Sequence, residues 1–168
     1  MSGFALGASP TTTYTTATLA QGKGFGVGDV TTDSTGNDWV FVQAGAAISI
    51  YSVCAIDTAY AANPLSNANA SAPVMVGVAA VAFASGEYGW LQQRGPCTIQ
   101  VLASAAKNAA LHTTVTGGAL DTTTISTSTN YLIIGITALS AGSAGGVTNV
   151  PANMSYPNVF RATTATQP

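Results

Sequence analysis

The stretch EYGWLQQRGPCTIQV, residues 87–101, sets two aromatics on alternate positions, then Arg94, a Gly95-Pro96 pair and Cys97, and runs on into a second apolar segment. Side chains of an extended strand alternate with a period of two, so Tyr88, Trp90 and Gln92 share one face, with Arg94 in phase behind them. Arg94-Gly95-Pro96 reads as a turn. Beyond it Cys97, Ile99 and Val101 face one way and Thr98 and Gln100 the other. Upstream, VMVGVAAVAFA (74–84) reads as a strand with a glycine bulge that ends at a Ser85-Gly86 turn. The expectation is a three-stranded meander over 74–84, 87–93 and 97–105.

Working outward, WVFVQAG (39–45) and AISIYSVCAID (47–57) are two β-rich runs broken by Gly45. In the second, Ile48, Ile50, Cys54 and Ile56 are expected to share a face with Ser52. YAANPLSNANASAP (60–73) offers little to bury and reads as a long exposed loop, a candidate contact arm. YLIIGITALSAG (131–142) is apolar on both faces, the pattern of a strand central in a sheet. SAGSAGGVTN and VPANMSYPNVFRATTATQP then close the chain, and little regular structure is expected there. ASAAKNAAL (103–111) is the only helix-compatible piece, and no helix of ordinary length carries a capping signature. The class is therefore all-β: a single antiparallel β-sandwich or small β-barrel domain over 21–155, with an extended N-terminal arm (1–20) and an extended C-terminal tail (156–168).

Composition narrows the function. Of 168 residues only 6% are charged, against roughly 25% in an ordinary soluble domain, while 47% are hydrophobic. A surface of Ser, Thr, Asn, Gln, Gly and Ala has little charge repulsion to keep copies apart, which favours association. Lys23, Arg94, Lys107 and Arg161 are scattered, so no basic patch exists for nucleic acid. No apolar run reaches the length of a membrane-spanning helix, and no membrane partner is expected. The opening MSGFALGASPTTTY has neither a basic nor a long apolar region, so no secretory signal is expected and synthesis is placed in the cytoplasm. The sequons at Asn69 and Asn153 would matter only in a secreted protein.

The chain is poorly supplied for chemistry. His112 has only Asp121 as an acid within ten residues, so a nucleophile–base set would need assembly from distant strands. The glycines of GKGFGVGD (22–29) match neither dinucleotide nor P-loop spacing. Asp29, Asp33 and Asp38 in one loop could offer oxygens to calcium, but Asx-turn chemistry accounts for the same residues. Glu87 is the sole glutamate, which leaves glycoside hydrolysis without an obvious carboxylate pair. Cys54 and Cys97 lack any metal spacing and read as buried free thiols. No catalytic residue, cofactor or metal is expected. Tyr88 and Trp90 with Arg94 fit a core or protein interface, or alternatively a stacking platform for a sugar or a base.

At this point GNDWVFVQAGAAISIYSVCAID (36–57), SGEYGWLQQRGPCTIQVLASAAKNAALHTTVTGGALD (85–121) and YLIIGITAL (131–139) together resemble the capsid decoration, or cement, proteins of tailed bacteriophages. A GxYGWxQxxG hairpin, a following strand, an AANAALYT-like segment and a GALD-like turn recur in that group. The resemblance implies a structural virion protein, made in the host cytoplasm, that binds the outer surface of a shell of major capsid protein, commonly as a homotrimer. It brings no catalytic residues. The interface candidates are Tyr88, Trp90, Gln92 and Arg94 on the hairpin, Phe4 and Tyr14 in the arm, and Tyr156 and Phe160 in the tail. The alternative is a glycan-binding, adhesin-like module using Tyr88, Trp90 and Trp39 as platforms.

Overall fold

A computed structural model describes residues 9–20, 24–70, 74–122 and 130–160. The chain is all-β, as expected. Its strands are β1 (Val30–Thr32), β2 (Asp38–Ala44), β3 (Val53–Ile56), β4 (Ala61–Pro64), β5 (Met75–Ala79), β6 (Tyr88–Val101), β7 (Leu111–His112), β8 (Ala119–Leu120), β9 (Leu132–Ala138) and β10 (Thr148–Phe160). Among the described residues one short helix, α1 (Thr16–Leu19), precedes them, its N-terminus closed by a capping box between Thr15 and Thr18.

Five strands close on themselves. β2 pairs antiparallel with β6, β6 with β5, β5 with β3 and β3 with β4, and β4 returns parallel to β2. This small barrel leaves β2, β3, β5 and β6 no free edge there. Its interior is filled by Val40, Val42, Ala44, Cys54, Ile56, Ala62, Ala79 and Leu91, with Ile48 and Phe83 entering from the loops. Phe83 fits because position 89 is glycine: a Cβ there would lie 2.6 Å from its ring.

The decisive element is β6, which does not turn at Arg94-Gly95-Pro96. It is one strand of 14 residues. Gly95 takes φ +98°, open to glycine at little cost, and the backbone bends out of the barrel without reversing. Past the bend β6 pairs with β10, β10 with β9, and β9 with the two-residue β7, while β8 adds parallel to β6. A second core forms between this extension and the barrel's outer face. Ile99, Val101, Val150, Ala152, Met154, Ile133 and Leu111 meet Val53, Ala55, Val76 and Val78. With about 1.5–3 kcal/mol for each large apolar side chain fully buried, this layer binds extension and barrel into one unit.

Several expectations change with these pairings. The run 47–57 is not one strand. Ile48 only bridges Phe83, Tyr51 takes φ +65°, and β3 begins at Val53, which leaves Ile50 exposed and Ser52 buried. The 60–73 segment is no exposed arm: β4 lies in it, Ala62, Leu65 and Ala70 are buried, and Asn69 ties the loop to Ser66 and Pro64, while 71–73 lie outside the described residues. Residues 131–142 are not central. Among the described residues β9 has only the two-residue β7 beyond it, and Ile134 is exposed. The piece 103–111 forms turns rather than a helix.

The C-terminal segment differs most. Where little regular structure was expected, β10 runs 13 residues, alternating buried Val150, Ala152 and Met154 with outward Asn149, Pro151 and Asn153. Asn149, Pro151 and Asn153 sit on its solvent side, where they hid the period. Residues 156–160 thus belong to the domain, and 161–168 lie outside the described residues. In the N-terminal segment Tyr14 is buried and pairs with Tyr88, while the rest of 9–20 is exposed or half-buried and 1–8 lie outside the described residues.

Candidate functional site

The aromatic face of β6 turns out to be core. Trp90 is 2% exposed and Trp39 5%, and Tyr14 is also buried. Phe41 stands at the centre of the cluster, 5.0 Å from the rings of both Trp90 and Phe25, with Tyr88 stacked on it at 6.3 Å. Tyr14 meets Phe25 edge-on at 5.5 Å. Trp39 and Trp90 offer no open face to a sugar, so the platform built on Tyr88, Trp90 and Trp39 is not formed. Gln92 is buried too, its amide donating to the carbonyls of Arg94 and Pro96 and so bracing the Gly95 bend.

The other sequence candidates separate into two places. Arg94 and Tyr156 come together, whereas Phe160 lies on the outer face of the β9–β10 pair and Phe4 falls outside the described residues. What unites Arg94 and Tyr156 is Asp38. Thr32 pairs with Asp38 across β1 and β2, and Asp38 with Arg94 across β2 and β6. Ser155 lies opposite Arg94 on β10. Asp38 Oδ1 accepts from the Thr32 hydroxyl at 2.6 Å, and Oδ2 accepts from Arg94 Nη1 at 3.1 Å and from the Tyr156 hydroxyl. The Thr32 and Tyr156 hydrogen bonds, against some desolvation, hold the Asp38 carboxyl below its ordinary range, with Arg94 adding to them. The same bond to Asp38 raises the Tyr156 phenol and the Arg94 guanidinium, so all three stay in their paired forms near neutrality.

This row walls a groove of about 710 Å³ lined by Val30, Thr31, Thr32, Asp38, Trp39, Gln93, Arg94 and Tyr156. A bulge supplies its far rim. Between the pairs Met154–Ile136 and Asn158–Ile134 the two strands fall out of register, and Tyr156 takes φ +45°. Bulges re-aim side chains, and here the result is a half-exposed phenol ring anchored through its hydroxyl. Gln93 borders the same groove.

Comparisons with protein-family models, curated proteins and solved structures find no match to this chain.

The three aspartates grouped in sequence have separate duties. Asp29 accepts from the Gly26 amide at 2.8 Å. Asp33 takes donors from Thr35, Asn37 and the Trp39 indole, which outweigh its desolvation and hold its carboxyl well below the usual range. Asx-type loop chemistry thus occupies it, and among the described residues no group of three or more His, Cys, Asp or Glu is gathered for a metal. His112 and Asp121 do meet, as a backbone bridge, and Ser104 Oγ donates to both Asp121 oxygens at 2.9 and 2.8 Å. Burial lowers the His112 pKa against the pull of Asp121. Neither cysteine is paired: Cys54 is buried and Cys97 half-buried.

Gln93 and Thr32 carried no signal in the sequence that marked them for the groove. Asp38 stood out only as an acid in a loop, because its partner Tyr156 lies 118 positions away.

Proposed function

We propose that the chain is a capsid decoration protein, binding as a trimer to the outside of a tailed-phage shell made of major capsid protein. The observation that carries this reading is an uncharged apolar patch on the outer face of β9 and β10. Ile134 is 51% exposed and Phe160 46%, on neighbouring positions of the pair, with Thr137, Asn153 and Asn158 around them. Large side chains left in water at such a place mark a surface meant to be covered. The resemblance of GEYGWLQQRG to the family hairpin supports the same reading, and the aromatic cluster gives that motif its physical role as the pin of the barrel.

Attachment then rests on apolar burial and avidity across a symmetric lattice. Ion pairs contribute little, since the chain has four basic residues and Arg94 is committed to Asp38. The test is co-sedimentation of purified protein with emptied shells of the phage that encodes it. Pelleting in fixed ratio, retained in high salt and lost in an Ile134→Asp, Phe160→Asp double variant, is the expected result. A folded protein that stays in the supernatant at every salt concentration would refute the proposal.

A further inference from the structure

We infer that the groove between β1 and the β10 bulge is a binding site for a neutral saccharide, built on Tyr156, Gln93, Arg94 and the Thr31–Thr32 edge. Gln93 carries the argument. The residue is 6% exposed overall and lines the groove, and its side-chain amide, which has no hydrogen bond to another described residue, is not sealed from solvent. The amide atoms still reach the water of the groove, and a ligand offering both a donor and an acceptor replaces that water in kind.

Adjacent hydroxyls of a pyranose meet that requirement. Tyr156 supplies the second element, a half-exposed ring held still by its hydroxyl bond to Asp38 on a strained backbone, suited to the C–H face of a sugar. Arg94 supplies the third, since only Nη1 is bound to Asp38 and the guanidinium is half exposed. The ligand is neutral because the carboxylate and guanidinium already cancel. The volume of about 710 Å³ is that of a site for one or two sugar rings. This site shares Arg94 with the platform read in sequence, but its ring is Tyr156 in place of the buried tryptophans, and it does not depend on the shell reading.

The experiment is a titration of isotope-labelled full-length protein, followed by NMR, with the methyl pyranosides of glucose, galactose, mannose and N-acetylglucosamine at millimolar concentrations. At least one is expected to shift the Gln93 side-chain amide together with the Tyr156 and Thr32 signals. Gln93→Leu should weaken that binding about tenfold or more, whereas Tyr156→Phe, which keeps the ring, should bind more tightly than Tyr156→Ala. Absence of shifts in the wild-type protein with all four sugars, or shifts unchanged in Gln93→Leu, would overturn the assignment. So would shifts at Val30 and Thr32 produced by an uncharged extended peptide and by no sugar, which would make the groove a strand-docking edge.

Discussion

Tyr14 and Tyr88 exchange backbone hydrogen bonds in both directions, each 2.7 Å, so the N-terminal segment is paired to the first residue of the longest strand. The same two residues put their rings into the aromatic cluster around Phe41. Tyr14→Ala removes a buried ring and is expected to destabilise the protein by about 3 kcal/mol. Tyr14→Phe should cost far less. Urea unfolding followed by tryptophan fluorescence measures both, and equal losses would show that the ring packing is not what holds the segment.

Gly89→Ala tests how tightly the barrel closes. The new methyl would meet the Phe83 ring, and overpacking of this kind costs about 1–3 kcal/mol. Phe83→Leu alone opens a cavity, but in the double variant the two changes should offset each other. A coupling energy near zero in the double-mutant cycle would contradict the contact.

Gly95→Ala tests the bend. It combines a positive φ with a clash against Asn37, and should destabilise more than Gly36→Ala, which has a similar φ and open space around it. Thermal unfolding of the two variants decides the order.

Stability against pH should fall in two windows. Asp33 and Asp38 have folded pKa values below the unfolded value of 3.8, so their contribution is complete above that value and lost as pH drops through the folded ones. His112 has a folded pKa below its ordinary 6.5, so below that pH the unfolded chain takes up a proton that the native state resists, and stability declines. Asp33→Asn should make the acid window shallower, with Asp38 still contributing to it, and His112→Leu should flatten the one just below 6.5. Unfolding free energies from pH 8 to pH 3 in the three proteins check both signs.

Burial pushes the Cys54 and Cys97 thiols up to about 12, leaving almost no thiolate at neutral pH. Both should react with a disulfide reagent far more slowly in the native protein than in denaturant. A thiol titrating promptly at pH 8 in the folded state would show that its strand opens.

The sequence by itself determined the all-β class, the alternation that sets Tyr88, Trp90 and Gln92 on one face, the Ser85-Gly86 turn and the scarcity of charge. These are local properties, carried by residues two to four positions apart. Barrel closure, the continuity of β6 through Gly95 and Pro96, the capture of 148–160 as a strand, and the meeting of Asp38, Arg94 and Tyr156 were decided only in the tertiary structure. A glycine followed by proline permits a turn or a bend equally well, and here the bend is chosen because β10 supplies a partner edge for the second half of β6. A strand masked by asparagine and proline becomes one when its small apolar side chains find a face to cover. The groove follows from both, since it lies where the barrel ends and the extension begins.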